Sequence, residues 1–115
     1  VEMVIGLKRD PAFGNVIMVG LGGVFVEVMK DVAIRLCPVT LAEALHMLET
    51  LRSSSILDGV RGGPVADRTK LAQMIVDVSR FGAAAGDNLV ELDLNPVFAG
   101  PDGAVAVDWL MVTKE

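Results

Sequence analysis

Glu91, Asp93 and Asn95 occupy alternate positions in the stretch Val90-Glu91-Leu92-Asp93-Leu94-Asn95-Pro96-Val97, with Val90, Leu92 and Leu94 on the other parity. Period-two alternation marks a strand with one packed face, so the oxygen-bearing side chains form a row on the other, neighbours roughly 6.5–7 Å apart. A second apolar run, 104–112, follows the turn Gly100-Pro101-Asp102-Gly103, where proline presets the first central position of a tight reversal. If Ala99 pairs with Ala104, Asn95 falls opposite Asp108, and directly opposed side chains share a face with Cβ atoms about 4.5–5.5 Å apart. A carboxylate and an amide oxygen converging beside Asp93 and Glu91 are hard donors of the kind Mg²⁺ takes, alongside water and substrate phosphates. Spacing alone leaves two readings open: a metal–phosphate site, or a solvated polar face on an ordinary hairpin.

Other chemistry-bearing residues are sparser. Arg61 lies in the glycine-rich stretch Gly59-Val60-Arg61-Gly62-Gly63-Pro64, where guanidinium and backbone could both meet an anion or simply be solvated. Glu27 closes an apolar run and either faces a site or marks the solvent side. His46, the single histidine, sits mid-helix without a nucleophile or carboxylate around it and reads as a surface or boundary residue. Gly20-Leu21-Gly22-Gly23 lacks the third glycine of a dinucleotide fingerprint and the Lys-Ser/Thr of a P-loop, so it reads as a tight turn between strands. Cys37 reads as core, and no nucleophilic triad can be assembled.

The elements that must position these residues follow from pattern. Short strands are expected at 1–7, 16–19, 24–29 and 32–37, separated by turn chemistry. Thr40-Leu41-Ala42-Glu43 is a capping box opening a helix over 40–52, with Leu41, Leu45, Leu48 and Leu51 on one stripe. Asp67 caps a second helix that buries Leu71, Met74, Ile75, Val78 and Phe81 and stops at Gly86. Strands, then two helices, then a hairpin predict an α+β fold, with both helices packed on one face of a mostly antiparallel sheet.

The 115 residues suit one domain, 1–115, with a core built from aliphatic side chains because only 4% are aromatic. A net charge of −5 argues against nucleic acid or an anionic membrane as partner. One cysteine excludes an internal disulfide and fits a reducing cytoplasm. The longest uncharged apolar run, 16–26, is too short to span a bilayer. The chain opens inside an expected strand without methionine, which predicts a piece of a larger polypeptide. Its apolar excess, 52% of residues, is then surface that meets the rest or supports a homodimer of the segment.

Five motifs in order carry a resemblance: Asp10-Pro11-x-Phe13-Gly14, Gly20-x-Gly22-Gly23-Val24-x-Val26-Glu27, Asp31-x-x-x-Arg35-x-x-Pro38, Gly59-x-Arg61-Gly62 and Glu91-x-Asp93-x-Asn95-Pro96. Together they resemble the C-terminal lobe of the ATP-grasp region of NDP-forming acyl-CoA synthetases, relatives of the succinyl-CoA synthetase β subunit. The resemblance implies a ligase that makes acyl-CoA from a carboxylic acid, CoA and ATP, releasing ADP and phosphate through an acyl phosphate and a phosphohistidine. It implies Asn95 and Asp108 as the residues that hold Mg²⁺ against the nucleotide, with Asp93 and Glu91 lining that site and Glu27 and Arg61 at recurrent, catalytic positions. It also implies parts not seen here: an N-terminal ATP-grasp lobe, a CoA-binding domain or subunit, and a relay histidine that His46 does not match. Asn15 stands where proline often follows Phe-Gly in this family. Two other readings stay open: a regulatory or scaffolding synthetase-like unit, for example fused to an acyltransferase, and a stand-alone domain that self-associates.

Overall fold

Glu2–Asp10 forms strand β1, in which Met3, Ile5 and Leu7 turn into the core while Gly6 and Lys8 face the opposite side. A three-residue loop, 11–13, reverses the chain into β2, Gly14–Leu21, with Asp10 paired to Gly14. The Asp10 carboxylate holds that loop by accepting from the Ala12 and Phe13 N–H groups at 2.8 and 3.0 Å. Gly14 takes a left-handed φ of 89°, which a side chain would disfavour. The Asp-Pro-x-Phe-Gly motif is therefore a hairpin device. The structure is a computed structural model that describes residues 1–22, 31–59 and 64–114.

The remaining strands are β3 (Val32–Leu36), β4 (Leu89–Gly100), β5 (Gly103–Ala106) and β6 (Trp109–Thr113). They form one antiparallel sheet in the order β3-β2-β1-β4-β5, with β6 also paired to β4 beyond the end of β5. Helices α1 (Leu41–Thr50) and α2 (Arg68–Ala85) cover one face, joined by a 3-10 turn at Ser54–Asp58. The expected α+β architecture is the one observed. No described helix is long and apolar enough to cross a membrane.

The caps lie where the residue types place them. Thr40 accepts from the Glu43 N–H while the Glu43 carboxylate accepts from the Thr40 N–H. Asp67 accepts from the Lys70 N–H, and Gly86 ends α2 with a positive φ. Asn15 adds a cap that hydrophobic pattern does not show: its Nδ2 donates to the Gly82 and Gly86 carbonyls at 2.7 and 3.0 Å. These two carbonyls at the end of α2, which also accept from the Gly86 and Leu89 N–H groups, are thereby tied to β2.

Four expectations are corrected. Gly20 and Leu21 are not a turn but the end of β2, and the Gly22 N–H still bonds the Glu2 carbonyl at 2.8 Å. A Cβ on Gly20 would stand 2.9 Å from a Val32 methyl, and one on Gly22 2.8 Å from Glu2 Cγ, so these glycines serve close strand approach. The expected strand at 24–29 lies outside the described residues. On α1 the buried positions are Ala44, Met47 and Leu48, with Leu41 exposed, because the helix packs chiefly against α2 and β3. On α2 they are Leu71, Ala72, Ile75, Val76, Ser79 and Gly82, while Met74 and Val78 are half-buried and Phe81 is exposed. Small residues let α2 approach the sheet closely, and a hydrophobicity count cannot see them. Finally, the run 104–112 is two strands, broken at Val107-Asp108.

Among the described residues Asp31 is the one buried charged side chain. Its carboxylate accepts from the Arg52 N–H at 2.7 Å, the Ser53 N–H at 2.9 Å and the Ser53 hydroxyl, tying the start of β3 to the chain leaving α1. Burial opposes its ionisation, but the Ser53 hydroxyl and the two backbone N–H groups outweigh it and hold the pKa below the usual carboxylate value.

Candidate metal and nucleotide site

Among the described residues no helix covers the other face of the sheet, and this bare face carries the row of oxygens. Opposite β4, Gly6 pairs with Asp93 and Lys8 with Glu91, so Glu91 and Asp93 lie on the same face as Lys8. The β4–β5 ladder pairs Ala99 with Ala104 and Val97 with Ala106. The β4–β6 ladder keeps the same offset, pairing Leu94 with Trp109 and Asp93 with Leu110. Between the two ladders the Asn95 N–H bonds the Asp108 carbonyl at 3.2 Å, and the Val107 N–H bonds the Pro96 carbonyl at 3.0 Å. Asn95 therefore stands opposite Asp108, in the register the hairpin turn predicts.

The register shift between Met3 and Ile5 in the β1–β4 ladder keeps Asn95 on the open face while Val97 turns into the core. Both Asn95 and Asp108 are exposed. Asp108 Oδ1 accepts from the Trp109 N–H at 2.8 Å, which fixes the carboxylate and leaves Oδ2 uncommitted to that bond.

A shallow cavity of about 340 Å³ opens on this face. Val16, Met18 and Ile34 give it an apolar side, while Glu91, Asp93 and Asn95 form its polar edge with Lys8. Asp108 stands next to this edge without lining the cavity. Gly6 leaves Asp93 with no side chain opposite, which keeps the edge open. Partial burial, and then the charge of Glu91 two residues away, raise the Asp93 pKa.

The donor set fits a hard divalent cation. One carboxylate and one amide oxygen suit Mg²⁺, which keeps water and phosphate ligands, better than a full protein cage. Among the described residues no three His, Cys, Asp or Glu side chains converge as a metal cluster. Glu27 and Arg61 lie outside the described residues. His46 is exposed on α1 with its ring nitrogen 3.4 Å from the Arg35 guanidinium, on the helix side of the sheet. Cys37 is half-buried against the core, and burial pushes its thiol up to about 11. Sequence reasoning passed over Lys8 and Gly6; alternation through 2–10 would have placed both on the acidic face.

The described residues thus form an antiparallel sheet backed by two helices, with a row of oxygen-bearing side chains on its other face. The chain belongs to the ATP-grasp domain family, whose profile matches residues 1–113. It is 41% identical over 111 residues to the β subunit of acetate–CoA ligase [ADP-forming] I of Pyrococcus furiosus, covering 96% of this chain and 47% of that one. It is 47% identical over 97 residues to acetate–CoA ligase [ADP-forming] of Methanocaldococcus jannaschii, covering 84% of this chain and 14% of that one. Among solved structures it resembles the dinucleotide-forming acetyl-coenzyme A synthetase 1 of Ca. Korarchaeum cryptofilum in complex with coenzyme A and Mg-AMPPCP. The TM-score is 0.93 at 38% identity, over 99% of this chain and 53% of that one. The chain thus spans about half the length, or less, of the relatives it matches.

Proposed function

We propose that this chain is the metal- and nucleotide-holding lobe of an ADP-forming acyl-CoA synthetase, an acid–thiol ligase. The whole protein would join a carboxylic acid to CoA with ATP, releasing ADP and phosphate through an acyl phosphate and a phosphohistidine. The observation that carries this reading is the opposition of Asn95 and Asp108 on the bare sheet face, beside the acidic edge of the cavity. The Korarchaeum relative, described in complex with coenzyme A and Mg-AMPPCP, supports a divalent cation and a nucleotide as ligands of the whole protein.

In this reading Asn95 and Asp108 hold Mg²⁺. Held by these two side chains, a divalent cation would supply electrostatic stabilisation of phosphate charge. Asp93 and Glu91 order the water and ligand groups along the edge, and the apolar wall keeps bulk water from that side. Glu27 and Arg61 are assigned catalytic roles by the resemblance alone. An N-terminal ATP-grasp lobe closes over the face, and a CoA-binding domain or subunit completes the enzyme. This chain alone would not turn over.

The reading is tested by Asp108→Ala in the full-length protein. Loss of one preorganised electrostatic contact predicts a fall in acyl-CoA synthesis of at least about 100-fold, with the fold retained. Activity near wild type contradicts the assignment.

A further inference from the structure

Strand β6 is the outer strand where it pairs with β4, and among the described residues nothing pairs with its other edge. All five of its residues, Trp-Leu-Met-Val-Thr, are exposed, Trp109 by 63%, Leu110 by 60%, Met111 and Val112 by 40% each. The strand has no charge or proline to discourage pairing, and the register shift of its ladder, between Leu89 and Glu91, falls on β4.

The pattern of free backbone groups is defined. The Asp108 carbonyl and the Lys114 N–H both bond inward, to the Asn95 N–H and the Asn88 carbonyl. Alternation along the strand then turns the N–H and C=O of Trp109, Met111 and Thr113 outward. The outward Trp109 N–H is taken up only by the carboxylate of the preceding Asp108, as expected of an edge without a partner strand.

We infer that β6 is a self-association edge: two copies of this chain pair their β6 strands antiparallel about a two-fold axis through Met111. In that register Trp109 faces Thr113 of the second copy and Met111 faces Met111, giving three hydrogen-bonded pairs with the outward groups of both strands used. Leu110 meets Val112 on the bare sheet face. Met111 and Trp109 of the second copy extend the roof of an apolar groove of about 350 Å³ bounded by Val78, Phe81, Leu92 and Leu94. The same register sets Asp108 opposite Lys114 of the second copy, twice, so the ends of the pairing are complementary in charge. A two-fold pairing of edges closes, and so gives a dimer rather than a fibre. The inference does not depend on the nucleotide reading; the pairing takes the Trp109 N–H from the Asp108 carboxylate and brings Lys114 of the second copy to it, so the dimer and a cation at Asp108 compete.

Sedimentation of this chain over a range of concentrations tests it. The expected species is a dimer of twice the 12.1 kDa chain, dissociating on dilution. Met111→Lys places two ammonium groups face to face on the axis and raises the dissociation constant at least about tenfold. Lys114→Glu, a surface change that leaves the fold intact, weakens the dimer by about two- to fivefold, and combining Asp108→Lys with Lys114→Asp restores it. A monomer throughout, or a dimer indifferent to both Met111→Lys and Lys114→Glu, overturns the proposal.

Discussion

Replacing Asp31 with alanine leaves three donors without an acceptor: the Arg52 N–H, the Ser53 N–H and the Ser53 hydroxyl. Asp31 is 5% exposed while Ser53 is half-buried and Arg52 exposed, so water replaces the carboxylate only in part. Hydrogen bonds to a charged group contribute about 1.5–3 kcal/mol each, and three sharing one carboxylate do not add in full. A loss of about 3–5 kcal/mol is expected, a large fraction of the roughly 5–15 kcal/mol available to a domain. For a chain of this size that corresponds to a fall in melting temperature on the order of 15–25 °C. Urea unfolding of wild type, Asp31→Ala and Ser53→Ala, with unchanged m-values, measures it; Ser53→Ala removes one bond and costs less. The pH dependence has a definite sign. Because the folded pKa lies below the unfolded value, the contribution is fully present above about pH 4 and is lost as pH falls through the folded pKa. Asp31→Ala therefore flattens the acid limb of stability below that point. A loss under about 1 kcal/mol, or an unchanged acid limb, refutes the carboxylate as the tie between β3 and the end of α1.

Asp93→Asn raises the melting temperature of the metal-free chain at neutral pH, since a carboxyl whose pKa is raised by burial and by Glu91 is costly to keep ionised. The same change lowers Mg²⁺-nucleotide binding in the full-length protein, and isothermal titration beside thermal melts shows both. Gly82→Ala costs about 1–3 kcal/mol, because its Cβ would stand 3.0 and 3.1 Å from the Leu7 methyls and 3.2 Å from Cys37 Sγ; denaturant unfolding measures it. Cys37, with its thiol at about 11, reacts slowly with a thiol reagent at pH 8 in the folded chain and rapidly in urea.

Local chemistry made much of this fold readable. Caps at Thr40 and Asp67, the stop at Gly86 and the reversal at 100–103 each rest on a few neighbouring residues, and the structure places them as expected. Hairpin arithmetic carried further, because a fixed turn fixes the register, which brings Asn95 opposite Asp108 across a strand break that the sequence does not show. What stayed hidden depends on distant partners. Gly20 and Gly22 looked like turn residues because glycine serves both turns and close strand approach, and only the position of Val32 and Glu2 decides between them. Ser79 and Gly82 were missed on α2 because their burial reflects small size against the sheet. The structural role of Asp31 stayed hidden, since its donors come from residues 52 and 53, beyond the following helix.

The most direct test of the central claim is the response of this chain's backbone amide resonances to millimolar Mg²⁺ and ADP, compared with Asp108→Asn. Shifts confined to Asp93, Asn95, Asp108 and their ladder neighbours, dependent on the metal and absent in the variant, are the predicted result. Shifts elsewhere, or shifts at these residues that persist in Asp108→Asn, would contradict the account.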